Sequence, residues 1–124
     1  ILHHERGIIS RSNANKINLA IKNERTIIAV GTTVVRLLEG CYKKYEKIKY
    51  FNENTNIFIY PGFKFNVVDS LITNFHLPKS SLLLLVAAFA GKEEILKIYS
   101  LAIKKNLRFF TYGDAMLLKK KNEI

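Results

Sequence analysis

The stretch Thr26–Glu39, with the sequence TIIAVGTTVVRLLE, indicates the fold class of this chain more clearly than any other part. Its first half is a short, β-branched, apolar run of the kind that forms a buried strand, and Gly31 ends that run. Thr32 or Thr33 then offers a side-chain cap for a helix near residues 34–46. We therefore predict a strand that passes through a glycine turn into a helix, which is the repeating unit of α/β domains.

Further elements on both sides of this unit alternate in the same way. The patterns predict a helix near residues 12–23, capped by Ser10 or Ser12, and a loop over 47–56. They predict three further strands, at Ile57–Tyr60, Leu71–Phe75 and Arg108–Tyr112. One more helix begins at Ser80 or Ser81 and ends at Gly91, another covers Glu93–Asn106 with Asn106 as a left-handed cap, and the tail Lys119–Ile124 is expected to be frayed. This rhythm predicts an α/β fold with a largely parallel sheet and helices on both faces.

Length and charge set the class of protein. A chain of 124 residues suffices for one compact domain. The 20 Lys and Arg residues outnumber the 10 Asp and Glu residues, giving a net charge of +10, which attracts polyanions such as nucleic acid. Lysines on solvated helix faces, or the drift of proteins from AT-rich genomes toward Lys, Asn and Ile, would account for the same charge. Nucleic-acid binding and a merely solvated surface therefore both stay open on charge alone.

Several other classes are excluded by the composition. Cys41 is the single cysteine, so the chain has neither an internal disulfide nor a cysteine-based metal site. No group of His, Asp and Glu residues has the spacing of metal ligands. The nucleophile motif of hydrolases, G-x-S-x-G, is absent. The longest apolar run, Leu82–Ala90, is too short to span a bilayer and predicts a core helix, and no signal-peptide pattern is present.

Two segments at predicted strand ends are candidates for ligand contact. After Gly31, the free amide groups of a helix start, with Thr32, Thr33 and Arg36, would suit a phosphate or carboxylate. The turn from Tyr60 to Phe63 would let aromatic rings stack on a base or nucleoside. Each has a structural alternative: a capped helix in the first case, and an aromatic turn that packs on the core in the second.

Two more segments carry polar groups of the kinds used in catalysis. Asp69 and His76 would orient or transfer a proton, Asn74 would read a base edge, and Lys79 with Ser80 would hold phosphate. Asp114 follows a glycine and would present a carboxylate to a ligand. A structural hydrogen bond for His76 and an ordinary turn at Asp114 are the alternatives.

Together these segments resemble one known family. The stretches AVGTTVVRLLE (Ala29–Glu39), IFIYPGFKFNVVDSLITNFHLPKSSLLLLVAAFAG (Ile57–Gly91) and RFFTYGDAMLL (Arg108–Leu118) are similar, in order and interval, to the C-terminal signature of the S-adenosylmethionine:tRNA ribosyltransferase-isomerases of queuosine biosynthesis. Leu2–Glu5 resembles the family's Met-His-Ser-Glu element, with His3 on its histidine and Glu5 on its acid. Val34 and Leu37 depart from the family's usual Ser and Thr.

The resemblance implies an enzyme and its substrates. Residues 1–124 would be the C-terminal part of the α/β catalytic domain of a two-domain enzyme, without its N-terminal part and its inserted β-barrel domain. The reaction would transfer and isomerise the ribosyl group of S-adenosylmethionine onto 7-aminomethyl-7-deazaguanine at the wobble position of tRNA with a GUN anticodon. Adenine and methionine would leave, and epoxyqueuosine would remain. S-adenosylmethionine would be a co-substrate, with no cofactor and no metal, in a cytoplasmic, non-membrane protein that is a monomer at full length.

The resemblance also implies roles for particular residues, all in one crevice at the strand ends. His76 or His3 would transfer the proton beside the sulfonium, and Asp69 would assist. Thr32, Thr33 and Arg36 would bind the methionine carboxylate or a tRNA phosphate. The base or ribose would contact a remaining set: Tyr60, Thr73, Asn74, Tyr112 and Asp114. Two alternatives stay open, namely a non-catalytic tRNA-binding fragment of this enzyme and an unrelated nucleotide-binding α/β enzyme.

Overall fold

Strands and helices alternate along most of the chain. The computed structural model describes residues 5–76, 80–108 and 113–121. In chain order the elements are β1 (Glu5–Ile9), α1 (Arg11–Lys22), β2 (Ile28–Val30), α2 (Thr32–Tyr45), β3 (Phe51–Thr55), β4 (Ser70–Asn74), α3 (Ser81–Ala90), α4 (Lys92–Lys104) and β5 (Ala115–Lys119). The predicted passage from a strand through Gly31 into a helix is confirmed as β2 followed by α2.

Serine side chains begin two of the helices, as the sequence predicts. The hydroxyl of Ser10 accepts the amide hydrogen of Asn13 at 3.1 Å, and the hydroxyl of Ser80 accepts that of Leu83 at 3.1 Å. The expected threonine cap of α2 is wrong, because Gly31 itself is the cap, at φ 95°, with no side-chain hydrogen bond. That backbone angle favours glycine, so Thr32 and Thr33 fall inside the first helical turn.

The sheet is not largely parallel. β2 and β4 pair in parallel, whereas β5 runs antiparallel to β4, and β1 pairs antiparallel with β3 in a separate two-stranded sheet. The physical reason lies between β4 and β5, where two consecutive helices, α3 and α4, replace the single crossover helix that a parallel connection uses. The second helix reverses the chain once more, so β5 returns in the opposite direction.

The predicted limits of the strands need correction in three places. Residues 47–56 are not a loop, because they contain β3, whose alternate polar residues point to solvent while Phe51 is buried. Ile57–Tyr60 is not a strand, although Ile57 and Ile59 are buried in the core. Most of the predicted strand Arg108–Tyr112 lies outside the described residues, as does the end of the tail, but Lys119 belongs to β5 and is not frayed.

One face of the three-stranded sheet is open among the described residues. Ala29, Leu71 and Leu118 are neighbours across the strands on the buried face. On the other face Val30 is 66% exposed and Leu117 is 62% exposed. The prediction of helices on both faces is therefore wrong for the part of the chain that the structure describes. No helix there is long and apolar enough to cross a membrane.

A buried carboxylate connects α2 to the segment that leads into β4. Glu39 is 1% exposed, and its two oxygens accept the backbone amide hydrogens of Asn66, Val67 and Val68 at 2.8, 2.9 and 2.9 Å. An ionised carboxylate that accepts several amide hydrogens satisfies otherwise orphaned buried donors. This contact fixes the start of β4 against the helix.

We expect Glu39→Gln to lower the free energy of unfolding by about 1–3 kcal/mol, because the amide nitrogen cannot accept a hydrogen bond and leaves a buried donor unpaired. Chemical denaturation of both proteins measures the difference. Glu46→Gln is the matched control, since Glu46 is exposed and should stay within about 0.5 kcal/mol of the parent. Equal effects of the two substitutions would contradict the stabilising role of the Glu39 hydrogen bonds.

Neighbouring leucines of β5 provide a test of the open face. Leu118→Ala should cost about 2–5 kcal/mol, because the side chain is 2% exposed and its removal leaves a cavity. Leu117→Ala should cost under about 1 kcal/mol, since that side chain lies on the open face. Denaturation midpoints of the two variants measure these losses of stability. A larger loss for Leu117→Ala than for Leu118→Ala would mean that the face of Leu117 is covered.

Candidate functional site

A small pocket lies at the edge of the sheet where the parallel strands β2 and β4 end. Its volume is about 300 Å³. It is formed by the start of β1, the first turn of α2, the extended segment 57–59 and the first turn of α3. The lining residues are Glu5, Thr32, Thr33, Arg36, Ile57, Phe58, Ile59, Ser80, Ser81, Leu82 and Leu85. The structure thus brings together four of the predicted site residues, Thr32, Thr33, Arg36 and Ser80.

Two helices begin at this pocket, and both starts favour a negative group. The amide groups in the first turn of α2 have no side-chain cap, because Gly31 precedes them. A helix start carries partial positive charge and free amide donors, which bind carboxylate or phosphate. Thr32 is buried and Thr33 is exposed, so the two hydroxyls do not share one environment.

Arg36 is held at the pocket by a partner that sequence reasoning did not pair with it. Its guanidinium forms an ion pair with the Glu5 carboxylate and donates to the carbonyl of Ile57 at 3.3 Å. The Arg36 side chain is only 12% exposed. The pocket therefore contains a carboxylate beside a guanidinium, next to a helix start, and this set can bind a ligand that carries both charges. The resemblance of Leu2–Glu5 to a family element was the available signal for Glu5.

His76 belongs to a second cluster at the same edge of the sheet. Its Nε2 lies 3.1 Å from the hydroxyl of Thr73, the buried threonine near the end of β4. Its backbone amide donates to the Tyr99 hydroxyl at 2.7 Å. Burial lowers the pKa of His76 and raises that of Tyr99. A neutral imidazole that can accept a proton is therefore favoured at neutral pH.

Asn74 and Asp114 lie at this edge but outside both groups. Successive strand residues point to opposite faces, so Asn74 is on the open face whereas Thr73 is on the buried one. Asp114 directly precedes Ala115, the strand partner of Asn74. The carboxylate of Asp114 accepts the backbone amide hydrogen of Arg108 at 2.8 Å, and that bond lowers its pKa. Asp114 is thereby joined to Arg108.

Asp69 lies at the opposite edge of the sheet. It precedes β4, and at about 3.3 Å per residue the strand separates it from Asn74 by about 16 Å. Its carboxylate accepts the amide hydrogen of Ile27 at 2.8 Å and lies 4.0 Å from the ammonium of Lys120. The expected convergence of Asp69 with Arg36 and His76 in one crevice is therefore wrong, because the chain reaches the crevice only after traversing β4.

Four further predicted site residues remain: Tyr60, His3, Tyr112 and Lys79, of which Lys79 lies outside the described residues. Tyr60 is exposed, and its ring lies 5.5 Å from that of Phe58, which lines the pocket. His3 and Tyr112 lie outside the described residues. Within the described ranges, no group of three or more His, Cys, Asp or Glu side chains is placed to hold a metal ion.

The fold and pocket define an α/β protein in which two helix starts border a pocket that contains groups of both charges. The family model described as queuosine biosynthesis protein matches residues 1–118. The chain therefore belongs to that family of queuosine biosynthesis proteins.

Named relatives agree with this membership. The chain is 51% identical over 124 residues to the S-adenosylmethionine:tRNA ribosyltransferase-isomerase of Vesicomyosocius okutanii, covering all of this chain and 36% of that protein. The enzyme of the same name from Treponema denticola is 50% identical over 118 residues, or 94% of this chain and 34% of its own length. The chain thus spans about a third of the curated relatives it matches.

A solved structure gives the same result for the fold. The crystal structure of S-adenosylmethionine tRNA ribosyltransferase from Thermotoga maritima superposes with a TM-score of 0.84 at 45% identity. The superposition covers 89% of this chain and 39% of the other. The resemblance stated from the sequence is confirmed.

The titration of His76 tests its buried contact with Thr73. A nuclear magnetic resonance titration of the His76 imidazole should give a pKa below the ordinary value of 6.5. The His76→Gln variant identifies which of the three histidine signals belongs to His76. Because the unfolded chain binds more protons between the two pKa values, the unfolding free energy should rise with pH across that window. His76→Gln should remove that rise. A midpoint at or above 6.5 would contradict the burial of this imidazole.

Proposed function

We propose that this chain supplies the helix-start pocket of an enzyme that transfers and isomerises the ribosyl group of S-adenosylmethionine onto 7-aminomethyl-7-deazaguanine in tRNA. The products are epoxyqueuosine at the wobble position, adenine and methionine. Family membership and the names of the relatives support this proposal. The observation that carries it is the pocket in which Arg36 and Glu5 lie beside the uncapped start of α2.

The charges of this pocket match the methionine end of S-adenosylmethionine. That end carries a carboxylate, an ammonium and a cationic sulfonium. The amide groups at the start of α2 and the Arg36 guanidinium attract the carboxylate, whereas Glu5 attracts a cationic group. The mutual ion pair keeps Arg36 and Glu5 in place when no ligand is bound.

The proton beside the sulfonium needs a base. His76 is the better supported candidate, because burial keeps its imidazole neutral and Thr73 orients Nε2. Ser80, four residues further along the chain, lines the pocket. His3 is the second candidate, and its place in the reaction rests on the family resemblance alone. The wall that receives the base is proposed to contain Tyr60, Asn74, Tyr112 and Asp114. Asp69 is instead explained by its contacts between strands.

The proposal also concerns the rest of the protein. We assign residues 1–124 to the C-terminal part of the α/β catalytic domain, which a further N-terminal part and an inserted β-barrel domain would complete. The open apolar face at Val30 and Leu117 supports an incomplete domain. The proposed partner is tRNA with a GUN anticodon, and the proposed full-length protein is a cytoplasmic monomer that uses S-adenosylmethionine as co-substrate without metal. A non-catalytic tRNA-binding fragment is the alternative.

Adenine release distinguishes these possibilities. The chain would be incubated with radiolabelled S-adenosylmethionine and precursor-bearing tRNA, alone and together with the remaining portion taken from a relative. We expect adenine only in the combined sample, since two thirds of the relatives' length is not represented here. Salt-dependent tRNA binding without adenine in either sample would favour the alternative.

Arg36→Ala should lower kcat/KM for S-adenosylmethionine in the combined sample by about 10- to 150-fold, the range expected for losing a charged hydrogen bond. Arg25→Ala is the matched control, because Arg25 is exposed and does not line the pocket. Thermal unfolding of both variants excludes loss of fold as the cause. An unchanged kcat/KM for the Arg36 variant would reject this pocket as the site for S-adenosylmethionine.

A further inference from the structure

A second and larger cavity lies at the opposite edge of the sheet from the helix-start pocket. Its volume is about 670 Å³, and of the candidate segments that the sequence predicts it includes only the turn that ends at Phe63. The lining residues are Pro61, Gly62, Phe63, Phe65, Ala87, Ala88, Phe89, Gly91, Lys92, Lys120 and Lys121. Three of the eleven are lysines, and every charged residue in the lining is basic.

Backbone contacts fix two of these lysines at the cavity. The amide of Lys120 donates to the carbonyl of Asp69 at 3.0 Å, and that of Lys121 donates to the carbonyl of Phe89 at 2.8 Å. The stem of Lys121 lies against Gly91, where an added Cβ would approach its Cδ to 3.4 Å. The lysines are therefore positioned by the end of β5 and the end of α3, and not by a flexible tail.

The positive charge at this cavity is only partly balanced. Lys92 and Lys121 are exposed and have no ion-pair partner among the described residues, whereas the Lys120 ammonium lies 4.0 Å from Asp69. Glu94 lies in the adjoining groove that Lys120 and Lys121 also line, so two carboxylates, those of Asp69 and Glu94, lie beside the three ammonium groups. Glu93, in the same helical turn, lines neither the cavity nor the groove. The start of α4 adds amide groups without a side-chain cap, because Gly91 precedes it at φ 97°.

Aromatic rings form the other wall. Phe63 is half-buried and meets Phe65 edge to face at 4.9 Å, and Phe65 meets the buried Phe89 in the same way at 5.0 Å. The Phe63 ring is thus anchored to the core while part of it stays accessible. An aromatic face beside a basic rim is the combination that proteins use for nucleic-acid strands, with stacking on the ring and ion pairs to the backbone.

We infer that this cavity is a second contact for RNA, in which Lys92, Lys120 and Lys121 bind backbone phosphates and Phe63 stacks on a base. The inference rests on tRNA being the substrate in the proposed function, and it adds a site for the tRNA body away from the reacting base. The strand length of about 16 Å between the two sheet edges suits a polyanion that touches both. The net charge of +10 favours the same partner.

Paired lysine variants test the inference through salt dependence. Binding of tRNA to the full 124-residue chain would be measured by fluorescence anisotropy over a series of salt concentrations. K92Q/K121Q should weaken binding and reduce the slope of log K against log salt by about 1.4–1.8, since each phosphate contact contributes about 0.7–0.9. K104Q/K105Q removes the same charge from exposed positions at the far end of α4 and should change the slope by less than half as much.

The stacking contact has its own variant. Phe63→Leu keeps an apolar side chain against Phe65 but loses the flat aromatic face, so affinity should fall while the salt slope stays unchanged. Thermal unfolding confirms that each variant is folded before its binding is interpreted. Unchanged affinity in a folded Phe63→Leu protein would contradict the stacking contact.

Several outcomes would overturn the RNA site. Equal slope changes in the two double variants would mean that the lysines attract RNA through overall charge and not through a defined site. No slope change in either variant would mean that RNA binds elsewhere. Displacement of tRNA by inorganic phosphate, at concentrations too low to act through ionic strength, would assign the cavity to a small phosphate ligand.

The adenine assay keeps this inference separate from the proposed function. A site-specific slope effect without adenine release in the combined sample would reject the enzyme activity and support the RNA site. Adenine release with an unchanged slope in K92Q/K121Q would support the activity and reject the RNA site.

Discussion

The placement of both sheet edges depends on the carboxylate of Glu39. It accepts three backbone amide hydrogens from residues 66–68, which lead directly into Asp69 and β4. Because Glu39 belongs to α2, this one side chain fixes the helix that begins at the first pocket against β4, the strand that leads to His76. A buried charge is tolerated here only because backbone donors surround it.

The strand β4 then separates two kinds of surface. At its end lie the helix starts, the Arg36–Glu5 pair and the imidazole of His76, where groups of both charges are close together. At its start, Asp69 joins β2 to β5, and the lysines at the end of β5 surround an aromatic cavity. A mixed-charge pocket suits a small zwitterionic ligand, whereas a basic rim suits a polyanion. We therefore propose S-adenosylmethionine at the end of β4 and the body of the tRNA at its start.

Corrections to the expected site follow from the direction of strand side chains. Thr73 and Asn74 are adjacent in sequence, yet they point to opposite faces, and only Thr73 reaches His76. Asp69 is seven residues from His76, but five of the intervening residues form an extended strand. Residues from Asp69 to Ser80 are close in sequence, but they therefore cannot all contact one ligand.

Local patterns of apolar, glycine and hydroxyl residues were enough to predict the family, the passage from strand through Gly31 into α2, and the serine caps. They also placed Thr32, Thr33 and Arg36 at a helix start. Four features became apparent only from the folded chain: the antiparallel return of β5, the pairing of β1 with β3, the Glu5 partner of Arg36 and the position of Asp69 away from the crevice. These features depend on contacts between residues 31 or more positions apart, or on the order of packed helices, and no local pattern specifies such contacts.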